Sequence, residues 1–193
     1  MAAAPGLPTV STTMNYYLDA SHGGGDTVMR PGTVYNQLRR HDGHAVQVHD
    51  IRGHESQFDL DTHGFQLVQH RSVEDEFEDD EKVKQEVYAE IIDLLKQVTG
   101  ATKVLPFSHI VRRHAYSQAV EEASKKSPEE TMTGISAAMF AHVDQSYGGA
   151  YEVLRDNVST SEAERLEKSR FGIINVWRPI RIPVPREPLR KMS

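Results

Sequence analysis

Val83, Val87, Ile91, Leu94, Leu95 and Val98 recur at three- and four-residue spacing, which lines one face of a helix with apolar side chains. The segment from about Asp80 to Val98 is the strongest helical signal in the chain. An amphipathic helix of that length must lie against another layer. Asp79 or Asp80 can cap its start, and Gly100 can end it in a left-handed turn. Seven acids stand among the eight residues from Glu74 to Glu81. The run reads as a solvated loop leading into the positive end of the helix dipole, with a cation site as the other reading.

Around that helix the pattern alternates between strands and helices. Residues 14–18 read as a short strand, and 45–51 alternate apolar and polar as a half-buried strand does. Residues 65–68, 103–107, 138–143 and 171–177 are further expected strands, the 103–107 one interrupted by Pro106. Helices are expected near 117–125, briefly after Ser127-Pro128, and over 160–168, where Ser159 or Ser161 offers a capping box. Beyond Trp177, Pro179, Pro183, Pro185 and Pro188 oppose regular structure. The fold class is α+β. Residues 1–13 read as a flexible tail, and residues 14–193 as a single domain.

Composition removes several function classes. Net charge is −6, without the basic patch that a nucleic-acid surface needs. No stretch approaches 18 apolar residues, and the first 13 residues lack the basic start and apolar core of a secretory signal. A cytoplasmic protein is the expectation. Ser21 to Asp26 is glycine-rich but lacks the Lys-Ser/Thr ending of a phosphate loop. The chain has no cysteine, so thiolate catalysis and cysteine metal sites are excluded. Any metal site must use histidines and carboxylates.

One motif supplies that pair. His142-Val143-Asp144 sits at the end of an expected strand, where residues i and i+2 share a face. An imidazole nitrogen and a carboxylate oxygen so placed are two parts of the 2-His-1-carboxylate arrangement that holds non-haem Fe(II). The other reading is a His–Asp hydrogen-bonded pair at a strand end. Downstream, Trp177 reads as a core aromatic. Arg178 can grip an anionic substrate or 2-oxoglutarate, or tie down a loop carbonyl or carboxylate. Asn175 can hydrogen-bond at the site or satisfy a strand edge. Arg112 and Arg113 read as a solvated face, and Tyr147-Gly148-Gly149 as a loop that lets backbone approach a ligand.

His142-Val143-Asp144-Gln145-Ser146 and Ile174-Asn175-Val176-Trp177-Arg178-Pro179 together resemble the AsaB/CmcJ-like hydroxylase/desaturase family, which includes the fungal gibberellin desaturase-type non-haem iron oxidoreductases. Asn15-Tyr16-Tyr17, Asp50-Ile51-Arg52-Gly53, Gly64-Phe65-Gln66-Leu67-Val68, Thr99-Gly100-Ala101 and Val111-Arg112-Arg113 follow the family in the same order, so the resemblance spans roughly residues 14–189. It implies a double-stranded β-helix (jelly-roll) core with packed helices, here partial. It also implies Fe(II) and 2-oxoglutarate as cofactors, with His142 and Asp144 as iron ligands and a small secondary metabolite as substrate. The family's third ligand is a distal histidine, followed by an arginine that binds the cosubstrate. None of the ten histidines follows His142, so the expectation is a C-terminally truncated member without that ligand. His109, His114, Glu152, Asp156 and Glu187 are the substitutes to consider, and Ser108 stands where relatives tend to have Asp.

Three functions therefore compete: a hydroxylase or desaturase acting on a small metabolite, a non-catalytic scaffold or metabolite-binding derivative of the same fold, and an inactive truncated product. An incomplete jelly roll leaves strand edges open, which invites self-association or a partner subunit.

Overall fold

The computed structural model describes residues 6–25, 28 and 30–184. The start of the expected tail, Asp26 of the glycine-rich loop, Pro185, Glu187 and Pro188 lie outside the described residues. Two compact units divide the chain: one holds the described residues of Met1–His70 with Ile110–His142, and the other holds Arg71–His109 with Val143–Val184.

The first unit is organised on a two-stranded antiparallel sheet. Strand β1 (Thr9–Tyr17) pairs with β2 (His41–His49), in register from Thr9 opposite His49 to Tyr17 opposite His41. Threonine, valine and tyrosine fill β1, and such side chains favour a pleated surface. The strand therefore starts inside the expected tail, because residues 9–13 find partners in β2 that local composition does not reveal. Helix α1 (Val34–Gln37) packs against α5 (Tyr116–Ala123). Val34 is fully buried there with Ala119 and Ala123. Backbone bonds from Val34 to Glu130 (3.0 Å) and from Tyr35 to Pro128 (2.8 Å) lace the contact. The short helix expected after Pro128 is only a turn, closed when Ser127 N–H and Oγ–H both donate to Glu130 Oε1 (2.6 and 2.8 Å). Helix α2 (Leu60–His63) is capped by Asp59 and stopped by Gly64 at φ 67°.

In the second unit the expected long helix forms over residues 80–99. It comprises α3 (Asp80–Lys82), a π-helical turn (Val83–Val87) and α4 (Tyr88–Thr99). Asp79 caps it by accepting from the Glu81 and Lys82 amides at 2.9 and 3.1 Å, and Gly100 ends it at φ 69°. Val83 and Val87 are the buried part of its stripe. The acidic run is not uniformly solvated. Glu74 is buried, its carboxylate accepting from the Glu76 and Phe77 amides and pairing with Lys82. Helix α6 (Tyr147–Asn157) packs on α7 (Thr160–Leu166). Tyr147, Gly148 and Gly149 are thus the first turn of a helix rather than a loop. Ser146 Oγ accepts from the Gly149 amide at 3.0 Å, and that cap outweighs the weak helical propensity of the two glycines.

The architecture is α+β. The β1–β2 pair is the sheet of the described residues. Residues 65–68, 103–107, 138–143 and 171–177 are not ladder-forming strands there, because an apolar run lacks cross-strand partners unless a neighbour lies at its edge. Trp177, expected in the core, is 48% exposed, and among the described residues no second strand pairs with residues 171–177.

Candidate metal centre

His142 belongs to the first unit. The segment before it docks on the edge of β1 that β2 does not use. Ala141 N–H donates to Asn15 O (2.7 Å), and Asn15 Nδ2 donates to Met139 O (2.7 Å). Between those anchors the Phe140 ring stacks on His41, with centroids 5.0 Å apart and planes 19° apart. Phe140 also lies 4.9 Å from the His142 ring. His142 Nδ1 is 2.9 Å from the Phe140 carbonyl oxygen. A carbonyl only accepts, so Nδ1 carries the hydrogen and Nε2 of the neutral ring holds the lone pair. Metal-ligating histidines typically show this support, a ring N–H held by a backbone carbonyl.

Asp144 belongs to the second unit and starts a bend before α6. Its Oδ2 accepts from Asn175 Nδ2 at 2.6 Å. A hydrogen-bonded ligating carboxylate is the matching feature on the oxygen side. Asn175 therefore meets Asp144 directly, which joins the His-x-Asp motif to the Asn-Val-Trp-Arg-Pro motif across 31 residues. An imidazole nitrogen and a carboxylate oxygen are the donor types that suit a borderline metal such as iron. Among the described residues no group of three or more metal-ligating side chains is assembled.

Arg178 pairs with an acid of α4. Its Nη1 donates to Glu90 Oε1 at 2.7 Å, and the two side chains are only 20% and 8% exposed. Glu90 also accepts from the Val73 amide (2.6 Å) and the Ser72 hydroxyl (3.2 Å) through Oε2. Burial pushes the Glu90 carboxyl up, but the Val73 amide and the Arg178 guanidinium outweigh it and hold it below the usual range. Arg112 is exposed, as a solvated face requires, yet its Nη1 donates to Ser136 O.

Of the substitute ligands, His109 is engaged elsewhere. His109 Nε2 lies 2.9 Å from Asp80 Oδ1, and the Tyr88 hydroxyl lies 3.0 Å from its Nδ1. Asp80 is held below its usual pKa, chiefly by Lys84, so it accepts from Nε2–H and leaves Nδ1 to accept from Tyr88. His114 lies over Gly134, where an added Cβ would stand 2.3 Å from Nε2. Glu152 and Asp156 point from exposed positions of α6. Sequence reasoning did not single out Asn15, Phe140 or Glu90 as supporting residues. Asn15 stood only within a matching Asn-Tyr-Tyr triplet, and its contact is 124 residues away.

Residues 14–193 match the family described as the Oxidoreductase/YMDC permease-like domain, and the chain belongs to that family. It is similar to hydroxylase/desaturase CTB9 of Cercospora beticola, with 44% identity over 96% of this chain and 57% of the relative. Hydroxylase/desaturase efuI of Hormonema carpetanum is 39% identical over 98% of this chain and 63% of its own length. An alpha-ketoglutarate-dependent dioxygenase, phiK, of a fungal species is 34% identical over 75% of this chain and 49% of its own length. The chain thus spans about half to three fifths of the length of these curated relatives. The hydroxylase/desaturase resemblance read from the two motifs agrees with these matches. Among the described residues no helix is long and apolar enough to cross a membrane.

Proposed function

We propose that this protein is an Fe(II)/2-oxoglutarate-dependent oxidoreductase that hydroxylates or desaturates a small secondary metabolite in the cytoplasm. His142 Nε2 and an oxygen of Asp144 would hold the iron. The reading rests above all on the 2.6 Å bond from Asn175 to Asp144, which couples the two motifs that carry the family resemblance. A relative named as an alpha-ketoglutarate-dependent dioxygenase supports the choice of cosubstrate. Bound Fe(II) would couple oxidative decarboxylation of 2-oxoglutarate to oxidation of a C–H bond of the substrate. The chain's own part is orientation: the Phe140 carbonyl sets the His142 tautomer, and the Asn175 amide sets the Asp144 rotamer. Arg178 would also serve by tying residue 178 to α4 through Glu90.

The fold fitting this reading is a partial double-stranded β-helix. Its first strands would be β1 and β2, and residues 139–141 would add to the edge of β1. Open edges of this kind also favour self-association or a partner strand. Anaerobic titration of Fe(II) into the protein with 2-oxoglutarate tests the function. The account expects a metal-to-ligand charge-transfer band that His142→Ala abolishes. No band in the parent protein would overturn it.

A further inference from the structure

Asn15 holds both residues that flank Phe140. Its side-chain amide donates to Met139 O, and its backbone carbonyl accepts from Ala141 N–H, each at 2.7 Å. The Ala141 N–H and the Phe140 carbonyl belong to one peptide group, which is planar and stiff. Anchoring the N–H at one end of that plane aims the carbonyl at the other end. That carbonyl is the acceptor for His142 Nδ1 at 2.9 Å. The Phe140 ring, stacked on His41, limits rotation of the same segment about its own axis. Asn15 stands opposite Gly43, which brings no side chain into the space Asn15 uses; even an added Cβ there would remain 3.7 Å from Asn15 Oδ1.

From this chain of contacts we infer that Asn15 is a positioning residue for the metal ligand His142, acting through the Met139–Ala141 backbone. The inference rests on the proposed iron site and adds a residue to it. Loss of the Asn15 amide frees the Met139 carbonyl and loosens the peptide that orients the imidazole. Residues that orient a metal ligand this way typically change metal affinity by about 10–100-fold. Replacement by Asp is the sharpest perturbation, since it keeps the size and faces the Met139 carbonyl with an oxygen instead of a donor.

The test uses Co(II) in place of Fe(II), with 2-oxoglutarate present, and two readouts. One is the Co(II) dissociation constant. The other is the paramagnetically shifted proton resonance of the His142 Nδ1–H, identified by its loss in His142→Ala. Asn15→Asp is expected to weaken Co(II) binding about 10-fold or more and to shift that resonance or broaden it through solvent exchange. Gln47→Ala is the control, because it removes a β1–β2 side-chain bond to Ser11 at a distance from residues 139–142 in the sheet register. It should change neither readout. If Asn15→Asp does not fold by circular dichroism, Asn15→Ala is read in its place with the same expectation. A folded Asn15 variant with parental affinity and an unmoved resonance overturns the inference while leaving the iron site standing. If the parent binds no Co(II), or His142→Ala binds it equally well, the iron-site reading falls and this inference falls with it.

Discussion

Arg178 and Glu90 form a largely buried ion pair. Arg178 Nη1 donates to a nearly buried carboxylate at 2.7 Å, so the pair ties residue 178 to the helix that carries Glu90. Removing Arg178 takes away the guanidinium that donates to Glu90 Oε1 at 2.7 Å. Arg178→Ala should therefore lower stability by about 2 kcal/mol, less than the ~3–5 kcal/mol of fully buried pairs because Arg178 keeps some contact with water. Urea denaturation measures this, and a change within about 0.5 kcal/mol, as for an ordinary surface substitution, would contradict the structural role. At this scale the sequence made the chemical types legible and left their partners hidden. His142 and Asp144 are two residues apart, so the motif they form shows in a short stretch of sequence. Asn15 meets Met139 across 124 residues and Arg178 meets Glu90 across 88, and nothing local marks either contact.

Among the elements, the helical run over residues 80–99 was the most legible because its stripe, its cap and its terminating glycine are all local. Asp79→Ala removes the acceptor for two amides of the first turn. It should cost about 1 kcal/mol, read from the thermal or urea midpoint, whereas Asp79→Ser should retain most of the stability. Equal losses for both would mean that the cap is not the source. Helix α6 was less legible, since Gly148 and Gly149 argue for a loop and only the Ser146 cap argues for a helix. The apolar runs at 103–107 and 171–177 suggest strands but say nothing about a neighbour. Pairing is a non-local property, so composition and period cannot supply it.

For the whole molecule, the buried apolar residues among those described are three valines and three alanines, a small core for this length. Ion pairs and carboxylate-to-amide bonds carry correspondingly more of the specificity. Their pH dependence has a definite sign. Lys126, followed by the Thr133 hydroxyl and amide, holds Glu122 at about 2, well below 4.5. Arg52 does the same for Asp50, bringing it from 3.8 to about 2. A folded pKa below the unfolded one adds stability that is complete above the unfolded value and is lost as pH falls toward the folded value. The urea midpoint should therefore fall as the solution is taken from about pH 5 to about pH 2. Glu122→Gln should make that fall shallower, and an unchanged slope would contradict the assignment.

The central claim, that His142 and Asp144 hold Fe(II) with room for 2-oxoglutarate, is tested most directly by electron paramagnetic resonance of the anaerobic Fe(II) protein treated with nitric oxide. The account predicts a high-spin iron–nitrosyl signal that changes on adding 2-oxoglutarate and disappears in both His142→Ala and Asp144→Ala. A signal that survives either substitution, or one that ignores 2-oxoglutarate, would contradict it.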